Sequence, residues 1–216
     1  MRKLILKMSI SLDGFVSGPG GELDWIFKSI DSESTAWTVD RISQAGVHLM
    51  GSRTYPDMAA WWPYSTEPFA PAMNLIPKAV VSRRGIEGLR GGETTAGLKD
   101  AERARASTGT GLTTPSPEVA QSWANPLVLS GNLTEDITRL KQEPGKEIVA
   151  HGGAAFAQSL VASGLIDEYC LLVHPVAIGC GRPLFSRLVQ PVSLELVQAI
   201  AFPAGTVAHV YRPARA

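Results

Sequence analysis

Short apolar runs recur along the chain, and most are followed by a stretch with helical spacing. Leu4-Ile5-Leu6-Lys7-Met8-Ser9-Ile10 is bounded by the turn pair Asp13-Gly14 and predicts a buried strand. The loop beyond it, Ser17-Gly18-Pro19-Gly20-Gly21, has the composition of a mobile segment. Trp37, Arg41 and Ile42 predict a helix over 34–45. Val47-His48-Leu49-Met50 then predicts a strand ending at Gly51-Ser52-Arg53-Thr54-Tyr55, where Pro56 suits the first turn of a short helix. Lys78 to Ser82 forms another strand and runs into Arg83-Arg84-Gly85.

From about residue 85 to 123 the pattern lapses. Gly91-Gly92, Thr94-Thr95 and Thr113 to Pro117 supply turn formers without a sustained period, so this stretch is predicted to be a polar insertion. Alternation resumes with a strand at 126–130, a helix at 134–142 and a strand at Glu147-Ile148-Val149-Ala150. Gly152-Gly153 precedes a helix over 154–163 that Gly164 can close. Strands follow at 167–173, 193–199 and 206–211, the last two with no helix between them. Strand–helix–strand order requires parallel pairing, because a parallel crossover needs a dozen or more residues; the final pair should be antiparallel. The expected fold is a three-layer α/β structure, its central sheet mostly parallel with an antiparallel C-terminal edge.

Composition narrows what such a fold can do. A length of 216 residues fits one domain over 1–216, and 44% hydrophobic against 19% charged residues provides a sizeable core. Lys plus Arg equals Asp plus Glu at 20 each, which removes the whole-molecule positive field needed to bind nucleic acid or anionic membranes. No export signal or membrane-length apolar run is read from the chain, and Cys170 and Cys180 lack metal or redox spacing, so a reducing cytoplasm is expected. The four histidines, His48, His151, His174 and His209, are scattered singly, and no metal is expected.

In an open parallel sheet the ligand crevice lies beyond the carboxyl ends of the strands. The residues found there are Ser11-Leu12-Asp13-Gly14, Gly51-Ser52-Arg53-Thr54, Ser82-Arg83-Arg84 and His151-Gly152-Gly153-Ala154. Glycine beside a helix start, and arginine able to make paired hydrogen bonds, together suit a ligand with several phosphates, although each piece alone also fits an ordinary turn or a solvated surface charge. Gly-x-Gly-x-x-Gly after the first strand, the P-loop and the Gly-x-Ser-x-Gly elbow are all absent. Phe15, Trp25, Phe27, Trp61 and Trp62 crowd the first third, where they could sandwich a flat heteroaromatic or simply pack the core. Asp13 and Asp24 are the carboxylates nearest both the glycines and the aromatics, and either could instead be a turn or cap residue.

Met8-Ser9-Ile10-Ser11-Leu12-Asp13-Gly14-Phe15-Val16 resembles the opening motif of the bacterial riboflavin-biosynthesis reductase domain, a dihydrofolate-reductase-like family. Gly51 to Tyr55, Val80 to Arg83, Ile148 to Ala154, and the block from Leu165 to Phe185 are similar to its later motifs. The resemblance implies a dihydrofolate-reductase-like fold, NADPH as cofactor, reduction of a small heterocycle such as 5-amino-6-(5-phosphoribosylamino)uracil, and a homodimer. Dihydrofolate reduction and a non-catalytic dinucleotide-binding dimer stay open as alternatives. Carried over by position, Gly51, Arg53 and Thr54 would meet the cofactor phosphates, Ser82 and Arg83 the adenosine 2′-phosphate, and Gly152, Gly153 and Ala154 the pyrophosphate, with a cis bond at the double glycine. Asp13 and Asp24 are the candidates for supplying or ordering a proton. The deaminase domain that usually accompanies this reductase has no counterpart in the sequence.

Overall fold

The computed structural model describes residues 1–89, 94–109 and 111–214. Its strands are β1 (Leu4–Ser11), β2 (Phe15–Ser17), β3 (Ala45–Gly51), β4 (Lys78–Val81), β5 (Leu127–Leu129), β6 (Glu147–His151), β7 (Glu168–His174), β8 (Arg182–Pro183), β9 (Leu194–Ala201) and β10 (Val207–Pro213). Its helices are α1 (Ser32–Ser43), α2 (Thr54–Trp61), α3 (Ala70–Leu75), α4 (Ala96–Thr108), α5 (Pro117–Ala124), α6 (Leu133–Gln142) and α7 (Ala154–Ser163). Eight strands form one sheet in the order β5-β4-β3-β6-β1-β7-β10-β9, while β2 and β8 make a separate ribbon. Pairing is parallel from β5 to β7 and antiparallel for β10 on both its sides, as the alternation of elements required.

Each face of the sheet is covered by its own core. Leu4, Leu6, Met8 and Ile10 of β1 point with Ile148 and Ala150 of β6 toward Ile137 and Leu140 of α6 and Ala157 and Leu160 of α7. The alternate residues Ile5, Met50, Val80 and Val149 meet Ile42 of α1, Tyr55 of α2, Met73 of α3 and Trp123 of α5. Both cores follow from the two-residue period of a strand buried on both sides. Helix starts are specified locally: Asp31 caps α1 in a reciprocal box with Ser34, Asn132 accepts the Thr134 and Glu135 amides at α6, and Gly164 closes α7 in the left-handed conformation.

The predicted polar insertion is more ordered than its composition suggested, since it carries α4 and α5; its Gly91-Gly92 lie outside the described residues. Helix α5 is part of the second core through Trp123, whose indole N–H donates to Asn74 Oδ1 at 2.8 Å. Helix α4 lies between α2 and the glycine-rich loop after β2. Thr95 Oγ1 donates to Asp57 Oδ2 at 2.7 Å, Arg105 stacks over Trp61, and buried Asp100 accepts the Leu23 amide at 2.7 Å while pairing with Arg103. Gly97 allows this approach, because a Cβ there would stand 2.8 Å from Leu23 Cδ1.

Asp100→Ala strands the Leu23 amide and frees the loop from α4. We expect a loss of about 1–3 kcal/mol in urea unfolding, against less than about 0.5 kcal/mol for the exposed Lys99→Ala.

Candidate functional site

Strands β4, β3, β6 and β1 are consecutive in the sheet, so their carboxyl ends stand in a row. Helix α2 leaves β3 for one face and α7 leaves β6 for the other, which opens a crevice where these neighbours part. The turns on its two sides touch. A Cβ on Gly51 would lie 2.8 Å from Phe156 Cβ on α7, and a Cβ on Gly153 would lie 2.6 Å from Thr54 Oγ1 on α2. Gly153 also has φ +37°, a region that disfavours a side chain. Gly51, Arg53, Thr54, Gly152, Gly153 and Ala154 thus form one patch, rich in backbone and lined by two helix starts. Among the described residues no peptide bond is cis, so the expected cis link at the double glycine is not present and the turn is made by Gly153's positive φ.

The next turn joins this patch through the Ser52 amide, which donates to Val81 O at 3.1 Å. Ser82 is buried and its hydroxyl donates to Gly85 O at 2.8 Å, so it folds its own turn and carries Arg83 outward. Arg53 and Arg83 are exposed and form no ion pair among the described residues, which leaves both guanidinium groups free for an anion.

The two carboxylates have other partners. Asp13 is at the end of β1, where its carboxylate accepts from Ser11 Oγ at 2.5 Å and from the Ile178 and Gly179 amides at 3.2 and 2.8 Å. The Ser11 bond, followed by those amides, holds its pKa below the ordinary value, so Asp13 is an ionised staple for the loop after β7. Asp24 is exposed, pairs with Lys28 at 3.2 Å, and lines a shallow surface groove with Asp100 and Arg103 of α4. Nor do the aromatics make a single sandwich. Trp25 is buried edge-on to His174 at 5.4 Å, Trp61 lies under Arg105, Trp62 packs on Phe69, and Phe27 is exposed.

The floor of the crevice is built from groups to which no role was assigned from the motifs, although His151 and Ser9 lie within them. On the α1 and α2 face, register sets Met50, His151, Lys7 and Cys170 side by side across β3, β6, β1 and β7, with Ser9 one step nearer the crevice. Lys7 forms no hydrogen bond or ion pair with a described residue; burial lowers its pKa, with the Cys170 thiol opposing, and its charge bears on both His151 and His174. His151 Nε2 lies 2.8 Å from His48 Nδ1, and His48 Nε2 lies 3.2 Å from Ala72 O. His174 Nδ1 meets Ser29 Oγ at 2.8 Å, while its Nε2 and Trp25 Nε1 are buried without partners among the described residues. Unpartnered polar atoms in so enclosed a place are costly unless a ligand meets them. The sequence held a signal of this floor in β1, where Lys7, Ser9 and Ser11 alternate with apolar residues.

A mostly parallel sheet with glycine-lined turns grouped beside a polar floor is an α/β fold with its crevice at the carboxyl ends of the strands. The chain belongs to the RibD C-terminal domain family, which matches residues 2–208. It is 28% identical over 210 residues to the uncharacterized protein YyaP of Bacillus subtilis (strain 168), covering 97% of this chain and 94% of that one. Its fold is that of a Shewanella sp. PV-4 protein whose name links it to riboflavin biosynthesis, with TM-score 0.66, 19% identity and 99% of both chains covered. It is also that of the Thermotoga maritima diaminohydroxyphosphoribosylaminopyrimidine deaminase/5-amino-6-(5-phosphoribosylamino)uracil reductase, with TM-score 0.60, 17% identity, and 99% of this chain matching 57% of that longer one. These likenesses establish the dihydrofolate-reductase-like fold expected from the sequence.

Burial lowers His48 and His174 from an ordinary 6.5 to about 4, and His151 well below its ordinary value. The unfolded chain therefore binds more protons below about pH 6.5, and stability must fall with the pH down to about 4. Urea unfolding at about pH 7 and pH 5 should differ by about 2 kcal/mol for each of His48 and His174, with His151 acting in the same direction. A flat profile would show that they are not held neutral.

Proposed function

We propose that this chain is an NADPH-dependent reductase that transfers hydride to a small heterocycle, of the 5-amino-6-(5-phosphoribosylamino)uracil reductase type. The observation that carries this reading is the meeting of the turns after β4, β3 and β6 directly beside the polar floor formed by Lys7 and His151. The residues present fit the cofactor: Gly51 and Gly153 leave a cradle that a Cβ would fill, two helix starts offer amides to phosphate, and Arg53 and Arg83 form no ion pair among the described residues. NADPH supplies the hydride when bound, so the protein needs neither a nucleophile nor a metal. Its own tasks are to orient the ring, to exclude water and to hold a proton.

Lys7 is proposed for that proton, because it is a group of the crevice floor with a transferable proton and no hydrogen-bond or ion-pair partner among the described residues. Asp13 is committed to its loop and Asp24 faces solvent, so neither is assigned the role. NADPH oxidation with a panel of pyrimidines, pterins including dihydrofolate, and imines tests the reading. Substrate-dependent oxidation is expected with one class, whereas tight cofactor binding without any oxidation would reject it.

Two variants assign the parts. Arg83→Ala should reduce the preference for NADPH over NADH by roughly tenfold or more, and an unchanged preference would remove Arg83 from the 2′-phosphate. Lys7→Met should lower kcat/KM by about a hundredfold. Because burial depresses the Lys7 pKa, wild-type activity should decline as pH rises through a value below 10.5, and Lys7→Met should lack that decline.

A further inference from the structure

The two histidines beneath the crevice form a chain whose hydrogen positions follow from geometry. The Ala72 carbonyl can only accept, so the His48 Nε2 that faces it at 3.2 Å carries the proton. His48 is fully buried with Lys78 nearby, and a second imidazole lies against it, so it is held neutral. A neutral ring with its proton on Nε2 has a bare Nδ1. The bond of 2.8 Å between His48 Nδ1 and His151 Nε2 therefore takes its proton from His151. Burial, His48 and Lys7 all oppose a charge on His151. Its remaining nitrogen, Nδ1, is in consequence a lone pair.

That nitrogen makes no hydrogen bond to a described residue. It is not among the buried polar atoms closed off without a partner either, since those are Trp25 Nε1 and His174 Nε2. Nδ1 is therefore not sealed off like those two atoms, and its residue is the last of β6, next to Gly152 of the glycine turn. Beside it on β1 stands Lys7, which offers only donors.

We propose that His48 fixes the tautomer of His151, so that Nδ1 of His151 is a permanent hydrogen-bond acceptor for an N–H on the edge of the bound heterocycle. The proposal rests on the reductase reading for the identity of the ligand, and on the histidine chain alone for the direction of the bond. His48 touches no ligand and is a positioning residue. Its consequence is specificity: a ring presenting an acceptor at this point would face a lone pair and be refused, because no water or rotation within the buried pair restores a donor.

The test reads the tautomer directly. Long-range proton–nitrogen NMR correlations on the uniformly labelled full chain should show His48 and His151 both protonated on Nε2, with Nδ1 of His151 bare. His48→Gln should preserve this state, since its amide N–H can donate to Ala72 O while its oxygen accepts from His151. His48→Leu does neither, and should leave His151 as a mixture of tautomers. In the NADPH oxidation assay, KM for the substrate should rise about tenfold in His48→Leu with kcat little changed, and stay within about twofold of wild type in His48→Gln. A proton on Nδ1 of His151 in the wild-type protein overturns the proposal, as does a His48→Gln variant whose KM rises as far as that of His48→Leu. Should His48→Leu not fold, the spectra of wild type and His48→Gln decide. Absence of any oxidation would count against the reductase reading and leave the tautomer result standing or falling by itself.

Discussion

The insertion of β6 between β1 and β3 is the constraint on which the site depends. Had the strands been laid down in chain order, β1 and β3 would be neighbours and their turns would run over a continuous helical layer. Instead β6 enters from a distant part of the sequence, and the helix that leaves it goes to the opposite face from the helix that leaves β3. Backbone turns from either side of the sheet then meet at the resulting gap. They can do so only because Gly51 and Gly153 carry no Cβ: at each, an added carbon would fall within 3 Å of the facing element. Topology opens the crevice, and glycine lets its walls close on each other.

The same insertion decides the chemistry of the floor. Each strand buried on both faces needs apolar residues at every position, yet the central strands here place Lys7 and His48 at mid-strand, and His151 and His174 at their carboxyl ends, on one face. Lysine in such a place is expensive to charge, and paired imidazoles are expensive to protonate. Together they make a region of fixed donors and acceptors rather than of mobile charge. A site that is fixed in this way suits a reaction in which the reducing power comes from elsewhere and the protein's contribution is orientation.

How much of this was readable from the residues depended on whether the information was local. Strand ends, helix spans and the antiparallel finish were legible, because period and turn residues act over a few positions; Gly164 and Pro56 are examples. The set of glycines and arginines at the crevice was legible for the same reason. Helix α4 was not: only Gly97 and Asp100 along it are buried, so it shows no apolar stripe and is held by polar contacts to partners far away in sequence. The histidine pair was invisible because residues 48 and 151 become neighbours only through the pairing of β3 with β6. Asp13 and Asp24 drew notice for sitting near glycines and aromatics along the chain, but proximity in sequence did not foretell that one would be consumed by backbone amides and the other turned to solvent.

Helix α4 bears on the energetics of any guest. The glycine-rich segment after β2 would, if untethered, sample many shapes and surrender them on capturing a molecule, a loss that weakens affinity. Through Asp100 and Gly97 that surrender is already made when the chain folds. What looked like a decorative excursion between β4 and β5 thus anchors that segment at Leu23 in advance, so that less of its disorder is left to quench.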